Sequence, residues 1–416
     1  MMSPIRSLAR LVAVAALGLA GCTTIRLPPP PIAQAGIAFG RSGEVGAFAE
    51  GLADPSSGRQ VTPDDPVRIA SISKTVVAIG VMKLVEQGRL DLNSDVSAWL
   101  GWSLRNPAFP DRPITLRQLL SHTSSIRDHD DQYAIPLGGT VRQVMAQPTS
   151  WTFGHGPGEN YFSYSNMNFP IIASVIERVT GERFDIWMRA NILDPMKIDA
   201  CFNWPTCSDW AIARAVQLTS PNGAPIRDDL DGRRPDCPVY VTEGQCDLSR
   251  WSPGENGALF APQGGLRISA RGLARVGRLL LGGGTLDGVA ILTPASVETL
   301  LAPVWRYDGN NGDSDGGFYC TYGLATHRIP TAVRGCDDNP IDDGPIDDGP
   351  IGDGIVRVGH AGDAYGLRSG LWLDRASGTG VAYFLTGLGE NPPRGRSAFA
   401  AAEQLAFSRA LSLLRN

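Results

Sequence analysis

The order in which strand-like and helix-like segments follow one another constrains the fold of this chain more than any other feature. Residues 35–50 read as two short strands joined at Ser42-Gly43, as in a hairpin. Three further strand-like runs lie near the carboxyl end, at residues 355–358, 366–373 and 380–386. Because strands occur at both ends, we predict an α+β fold in which one antiparallel sheet, built from both ends of the chain, is flanked by helices.

Helical patterns dominate the middle of the chain. Apolar residues at helical spacing predict a helix from Ser73 to Gln87, which Gly88 ends. Further helices are predicted at residues 115–120, 168–180, 270–281 and 399–414. We expect the central helices to form a mostly helical lobe, and a cleft between this lobe and the sheet is the expected place for a functional site.

The amino terminus has the features of an export signal. Arg6 and Arg10 precede an apolar run that ends in small residues. Residues 19–22, LAGC, resemble the bacterial lipobox, so we predict a signal peptide at 1–21 and lipidation of Cys22. Ordinary secretory cleavage nearby, or an uncleaved anchor, are the alternatives.

The prolines after Cys22 predict a stiff, extended linker over residues 22–34, which leaves residues 35–416 as the folded body. Thr23, rather than an aspartate, follows the cysteine. By resemblance to Gram-negative lipoproteins, this favours a lipid anchor in the outer membrane, with the protein facing the periplasm of the bacterial cell envelope.

Six cysteines remain after Cys22, an even number in a chain predicted to reach an oxidising compartment. They fall as near neighbours, and we predict that each neighbour pair forms a disulfide that closes a short loop. A zinc site is the alternative, although the spacing lacks a C-x-x-C pair. The predicted pairs are Cys201 with Cys207, Cys237 with Cys246, and Cys320 with Cys336.

Charge and composition narrow the range of partners. With 43% hydrophobic residues the chain is typical of a folded protein, and 42 acidic residues against 37 basic ones give a net charge of −5 without a basic stripe. Nucleic acid is therefore excluded as a partner, and no metal or cofactor is predicted. The pentapeptide repeats at 340–354 predict a solvated loop, with calcium binding as the alternative.

Residues 68–75, RIASISKT, place a serine and a lysine three positions apart where a strand-like segment becomes a helix. If Ser71 begins the helix, the side chains of Ser71 and Lys74 share a face and can meet. A desolvated lysine can accept the serine proton, and helix N–H groups can stabilise an oxyanion. The alternative is a serine N-cap beside an exposed lysine.

Two more motifs follow along the chain. Tyr164-Ser-Asn166 precedes a predicted helix, and a tyrosine whose pKa is lowered by Lys74 can relay a proton, while the asparagine offers an amide to a substrate carbonyl. His360-Ala-Gly362 follows a strand-like run, and its small residues allow backbone to approach a substrate. A surface turn and a solvated loop are the respective alternatives.

Together these motifs resemble those of the serine beta-lactamase-like superfamily, in particular its class C beta-lactamase, D,D-peptidase and esterase branch. The resemblance extends through segments 114–125, 157–181, 264–300 and 358–374. It implies a beta-lactamase/transpeptidase-like fold with Ser71 as nucleophile, Lys74 as its activating partner and Tyr164 as base or proton relay. Asn166, His360, Gly362 and Asp363 are expected to bind substrate, with the N–H groups of Ser71 and Asp363 as the oxyanion hole.

This sequence departs from the family pattern at two positions. His360 stands where many relatives carry the lysine of Lys-Thr-Gly, and a neutral histidine binds a substrate carboxylate less well. Ser125 stands where relatives often have glycine, in a loop that we expect His122 to brace.

We therefore expect a serine hydrolase that forms an acyl-enzyme with esters, amides or D-amino-acid peptides. Carboxylesterase or peptidase activity is favoured over efficient beta-lactamase activity. The alternative is a non-catalytic penicillin-binding, peptidoglycan-binding or sensor protein on the same scaffold. The expected partners are a small-molecule or peptide substrate and the membrane, reached through the lipid; the sequence makes no prediction of oligomeric state.

Overall fold

The computed structural model describes residues 30–130, 132–242, 246–341 and 353–415. The predicted signal peptide, Cys22 and most of the pentapeptide tract lie outside these residues. The strands are β1 Ala33–Gly40, β2 Gly43–Asp54, β3 Arg59–Gln60, β4 Val67–Arg68, β5 Cys201–Phe202, β6 Leu218–Thr219, β7 Pro225–Arg227, β8 Leu266–Ile268, β9 Thr285–Leu286, β10 Val289–Ala290, β11 Trp305–Arg306, β12 Thr321–Tyr322, β13 His327–Ile329, β14 Arg357–Ala364, β15 Leu367–Asp374 and β16 Thr379–Thr386. The helices are α1 Ser73–Glu86, α2 Ser97–Leu100, α3 Leu116–Leu120, α4 Val141–Met145, α5 Asn168–Thr180, α6 Phe184–Met188, α7 Asp209–Ala213, α8 Ala270–Leu281, α9 Pro294–Leu301 and α10 Ala401–Ser412.

The main sheet joins the two ends of the chain. Among the described residues it has nine strands, in the order β11-β12-β13-β14-β15-β16-β1-β2-β3. Strand β1 lies antiparallel to β16, with Ala33 opposite Thr386 and Gly40 opposite Thr379. This arrangement confirms the predicted α+β fold with an antiparallel sheet built from both termini. Strand β1 begins at Ala33, inside the segment predicted as linker.

Alternation along the strands produces a hydrophobic layer on each face of the sheet. Ile37 and Phe39 of β1 belong to the core beneath α8, whereas Ala38 between them packs in the cluster that contains α10. Gly277 of α8 lets the helix lie close to the sheet, because a Cβ there would meet Phe39 Cζ at 2.3 Å. Successive side chains of a strand point to opposite faces, which explains the two layers.

Helix α1 is the centre of the helical lobe. Every residue from Ser73 to Met82 is buried, so the helix is covered on all sides rather than on one stripe. A small three-stranded sheet, β4-β8-β5, lies beside its amino end, where Val67 pairs with Ile268. The predicted bounds of this helix agree with the structure to within its last turn.

The six described cysteines form the three predicted local disulfides. Cα–Cα distances are 4.9 Å for Cys201–Cys207, 5.5 Å for Cys237–Cys246 and 5.9 Å for Cys320–Cys336, all within the usual range. The zinc alternative is therefore wrong for these residues. Across the described ranges, no helix combines the length and the hydrophobicity that crossing a bilayer requires.

Candidate active site

Ser71 lies in a short 3₁₀ turn, Ala70–Ile72, that leads into α1. Ala70 has a φ of 49°, in the left-handed region that favours glycine, so the backbone is strained directly before the serine. Ser73 stabilises this turn: its hydroxyl donates to Ala70 O at 2.7 Å and accepts from Leu266 N at 3.1 Å. Helix α1 has no side-chain N-cap, so the capping alternative for the motif is wrong.

Lys74 is fully buried and its amine contacts three acceptors. Nζ lies 2.8 Å from Asn166 Oδ1, 2.7 Å from the carbonyl oxygen of Gln263 and 3.0 Å from Ser71 Oγ. The amide and carbonyl oxygens can only accept hydrogen bonds. A neutral amine would give them its two hydrogens, so its lone pair is left to accept the proton of the Ser71 hydroxyl.

Because Lys74 is buried, a substantial fraction of its amine is uncharged near pH 7. Desolvation lowers the pKa of Lys74 from 10.5 to about 7, and the negative charge of Asp128 opposes part of this effect. Two nearby histidines do not compete as bases in this range, since burial lowers the pKa of His360 to about 3 and that of His122 well below its ordinary value. Lys74 is thus the group best suited to remove the serine proton.

Tyr164 lies beside the lysine, whose Nζ is 5.0 Å from the centre of the tyrosine ring. Its ring stacks against His122, with centres 4.3 Å apart, and against Tyr319 at 4.7 Å. Burial raises the pKa of Tyr164, although the Ser71 and Tyr319 hydroxyl groups beside it weakly oppose the shift. Its buried hydroxyl makes no well-formed hydrogen bond within the described residues. The expectation that Lys74 lowers this pKa is wrong; Tyr164 stays protonated and can act as a proton donor.

Asp128 organises the Tyr-Ser-Asn turn, a role that the sequence did not reveal. Its carboxylate accepts hydrogen bonds from Ser165 Oγ at 2.8 Å, Asn166 N at 2.8 Å, Asn166 Nδ2 at 2.9 Å and Met167 N at 3.0 Å. These bonds orient Asn166 so that its Oδ1 faces Lys74. The predicted substrate contact of Asn166 is compatible with this position, since Asn166 also lines the cleft beside Ser71.

Strand β14 approaches the Ser71 turn closely because residue 362 is glycine. A Cβ on Gly362 would lie 2.3 Å from Ile69 O and 2.3 Å from Ser369 Oγ. The Ser369 hydroxyl in turn donates to Ile69 O at 2.9 Å and joins the sheet to the turn. Asp363, the next residue on β14, lines the cleft together with Ser71.

The structure corrects the prediction for His360. This residue lies inside β14 rather than in a loop after a strand, and it is 1% exposed. Its Nε2 is 2.7 Å from the hydroxyl of Tyr322 and its Nδ1 is 2.5 Å from Ala361 O, so both ring nitrogens are occupied. His360 therefore does not reach the cleft as a substrate contact; it supports β14 from behind.

The loop before the tyrosine turn is also strained and braced. His122 accepts a hydrogen bond from Ser165 N at 3.0 Å through Nδ1, which agrees with the expectation that it braces this loop. Ser125 has a φ of 63°, in the left-handed region that favours glycine, and its hydroxyl accepts a hydrogen bond from Asn106 Nδ2 at 3.0 Å. The serine thus retains the glycine-like turn at a cost in strain.

A family model described as Beta-lactamase matches residues 32–406. The chain belongs to the beta-lactamase family. Esterase EstB of Burkholderia gladioli is 29% identical over 171 residues, which are 37% of this chain and 42% of the esterase. Protein flp of Staphylococcus aureus (strain N315) is 30% identical over 152 residues, 35% of this chain and 30% of that protein. The matched parts span less than half of either relative.

Solved structures share the fold of this beta-lactamase family member over nearly its whole length. D-amino acid amidase from Ochrobactrum anthropi SV3, complexed with L-phenylalanine amide, has a TM-score of 0.63 at 18% identity and covers 93% of this chain and 94% of the amidase. The class C beta lactamase from Rhodobacter sphaeroides has a TM-score of 0.63 at 19% identity, with 93% and 95% covered. At these identities the likeness concerns the fold.

Proposed function

We propose that this chain is a serine hydrolase that acts through an acyl-enzyme on esters, amides or D-amino-acid peptides. The observation that carries the proposal is the 3.0 Å contact between the buried amine of Lys74 and Ser71 Oγ. Because the oxygens of Asn166 and Gln263 accept both hydrogens of a neutral amine, its lone pair is free to accept the proton of Ser71. Membership of the beta-lactamase family and partial sequence similarity to an esterase support the same reaction class.

Acylation follows from the positions of the side chains. As Ser71 Oγ attacks the substrate carbonyl carbon, its proton passes to Lys74 Nζ. The N–H groups of Ser71 and Asp363 receive the developing oxyanion, which the close approach at Gly362 makes possible. Tyr164, which is protonated and next to Ser71, gives a proton to the departing oxygen or nitrogen, and the proton held by Lys74 restores the tyrosine.

Deacylation reverses these proton movements with water in place of the leaving group. Lys74, which is neutral again after acylation, takes a proton from the water as the water oxygen attacks the acyl carbon, and it passes this proton to Ser71 Oγ as the serine leaves. Each group therefore ends the cycle in its starting state. The reaction needs no metal or cofactor in this scheme.

We propose that the enzyme hydrolyses esters and peptides more efficiently than it hydrolyses beta-lactams. A penicillin carries a carboxylate that a lysine at position 360 would bind, whereas His360 is enclosed and its pKa is lowered to about 3 by burial. Its imidazole is therefore neutral at physiological pH and supplies no positive charge.

Intact-protein mass spectrometry of residues 23–416 tests the proposal. The protein is incubated with a fluorophosphonate probe and, separately, with a penicillin, alongside Ser71→Ala. A fluorophosphonate adduct that the mutant loses supports the nucleophile, and a transient or absent penicillin adduct supports ester or peptide substrates. A long-lived penicillin adduct would favour the binding or sensor role, and no adduct with either reagent would overturn the enzyme assignment.

We also propose that Cys22 is lipidated and anchors the protein in the bacterial outer membrane, facing the periplasm. The LAGC sequence and the following proline-rich segment support this proposal, and the three disulfides suit an oxidising compartment. Metabolic labelling of cells with a palmitate analogue tests it. A Cys22→Ala protein that is still labelled would contradict it.

A further inference from the structure

Two arginines from different strands converge on one tyrosine at the edge of the cleft. The guanidinium carbon of Arg68, on β4, lies 5.2 Å from the centre of the Tyr365 ring, and that of Arg227, on β7, lies 4.8 Å from the same centre. Stacking on an aromatic ring orients a guanidinium group and restricts its side chain. All three residues line the cleft that contains Ser71.

Neither guanidinium has an anionic partner in the part of the chain that the structure describes. Other arginines near the site are paired, Arg267 with Asp228 and Arg368 with Asp363. For Arg68 and Arg227, by contrast, the described residues provide neither an ion pair nor a side-chain hydrogen bond, and Nε of Arg68 is buried without an acceptor. An arginine cannot lose its charge, and an unsatisfied buried donor costs about 1–3 kcal/mol.

We propose that Arg68 and Arg227 form a subsite for a carboxylate of the substrate. A guanidinium fork matches a carboxylate in shape and charge, and an anion placed here would satisfy the buried N–H of Arg68. This inference rests on the proposed function, because Ser71 must act on the molecule that the arginines hold.

The distribution of charged residues along the cleft favours one orientation of a substrate that carries a carboxylate. Asp315 and Glu390 line both the cleft and the adjoining cavity on the other side of Ser71, which the two arginines do not reach. The arginines instead continue into a cavity lined also by Arg267, which pairs with Asp228, and by Asp229, so that three arginines face two acids there. A substrate carboxylate is therefore better accommodated at the end of the cleft that holds Arg68 and Arg227.

Steady-state kinetics with two matched esters test the subsite. The substrates are p-nitrophenyl acetate, which is neutral, and mono-p-nitrophenyl glutarate, which carries a carboxylate. Arg227 is exposed and takes no part in the proposed chemistry, so Arg227→Gln is the test variant. Arg142→Gln, which removes the same charge from an exposed helix residue outside the cleft, is the matched control.

We expect Arg227→Gln to lower kcat/KM for the glutarate ester about tenfold, the loss typical of one charged hydrogen bond, and to change kcat/KM for the acetate by less than about twofold. Arg227→Lys should recover part of the loss, since it keeps the charge but not the fork. Arg142→Gln should leave both esters unaffected. Equal losses on both esters, or the same selective loss in the control, would overturn the subsite.

A binding measurement separates the subsite from the chemistry. Ser71→Ala is titrated with mono-p-nitrophenyl glutarate by calorimetry, with and without Arg227→Gln. If the wild type hydrolyses neither ester, the hydrolase proposal fails, but weaker binding in the double variant still supports the subsite. Binding that is unchanged by Arg227→Gln overturns the subsite even if the wild type hydrolyses both esters.

Discussion

Lys74 Nζ lies 3.0 Å from Ser71 Oγ at the start of a helix that is buried on every side. Burial lowers the pKa of the lysine, whereas Ser71 is only half-buried and lines the cleft, where a substrate can reach it. A base that is half neutral near pH 7 is well matched to proton transfer at physiological pH. The consequences of this pair for pH dependence, turnover and stability can be measured separately.

We expect kcat/KM for p-nitrophenyl acetate to rise with pH and to level off above an apparent pKa of about 7. The active form has a neutral Lys74, and that form is lost as pH falls through the pKa to which burial lowers the lysine. The loss should approach tenfold per pH unit on the acid side. Initial rates between pH 5 and pH 9, read at the isosbestic wavelength of p-nitrophenol, provide the test, and a flat profile would exclude Lys74 as the base.

Replacing Asp128 should shift this pH profile and lower kcat. The carboxylate raises the pKa of Lys74, so Asp128→Asn should shift the acid limb to lower pH, by about one unit for a close opposite charge. The amide cannot accept all four hydrogen bonds of the Tyr-Ser-Asn turn, so kcat should fall as well.

The direction of the shift in Asp128→Asn also identifies the titrating group. Glu403 lines the cavity beside Ser71, and burial raises its pKa to about 8, so it ionises over a similar range. If Glu403 controlled the rate, the acid limb of Asp128→Asn would stay where it is in the wild type. A profile of Glu403→Gln that matches the wild type would complete the assignment.

The sheet could be predicted from sequence because strand alternation and helical spacing are local patterns. Strand β14 was the exception: the prediction ended at Val358, whereas the strand continues to Ala364. Its glycines and alanines give a weak strand signal, and pairing with β15 determines their conformation. The burial of His360 depends on that longer strand, so its predicted contact with substrate failed for the same reason.

The motif residues of the site could be found because their side-chain types carry the chemistry. Asp128 could not, since it stands among other acidic residues in Asp128-His-Asp-Asp131 and only tertiary folding places it against residues 165–167. Gln263 contributes its backbone carbonyl to Lys74, and a backbone group leaves no signal in residue type. The arginine pair likewise depends on tertiary folding, which brings Arg68 and Arg227 onto the same ring of Tyr365 although the three residues are far apart in sequence.

The free energy of unfolding of the wild type should depend on pH because Lys74 is buried. The variant Lys74→Met should lack this contribution to the pH dependence. Between pH 7 and pH 10.5 the unfolded chain holds a proton on Lys74 that the folded protein does not, so the free energy of unfolding rises with pH. The wild type should gain up to about 1.4 kcal/mol per pH unit relative to Lys74→Met across this window.

Urea denaturation of both proteins at pH 7, 8 and 9 measures this difference, and changes at other titrating groups cancel in the comparison. Lys74→Met should also be inactive, because it has no amine to accept the proton of Ser71. A difference in stability that stays constant with pH would mean that Lys74 is charged in the folded protein.

Gly362→Ala should remove most of the activity while leaving the rest of the fold intact. The added methyl group would meet Ile69 O and Ser369 Oγ, each at 2.3 Å, so β14 must move away from the Ser71 turn. Separating the N–H groups of Ser71 and Asp363 weakens the proposed oxyanion hole, and losing one such donor lowers kcat about 100-fold to 1,000-fold.

Gly40→Ala, whose Cβ would meet nothing closer than Gly378 O at 3.9 Å in the same sheet, is the matched control and should keep wild-type turnover. Near-normal kcat in Gly362→Ala, with circular dichroism and thermal midpoint unchanged, would show that the approach of β14 to the serine is not needed for catalysis.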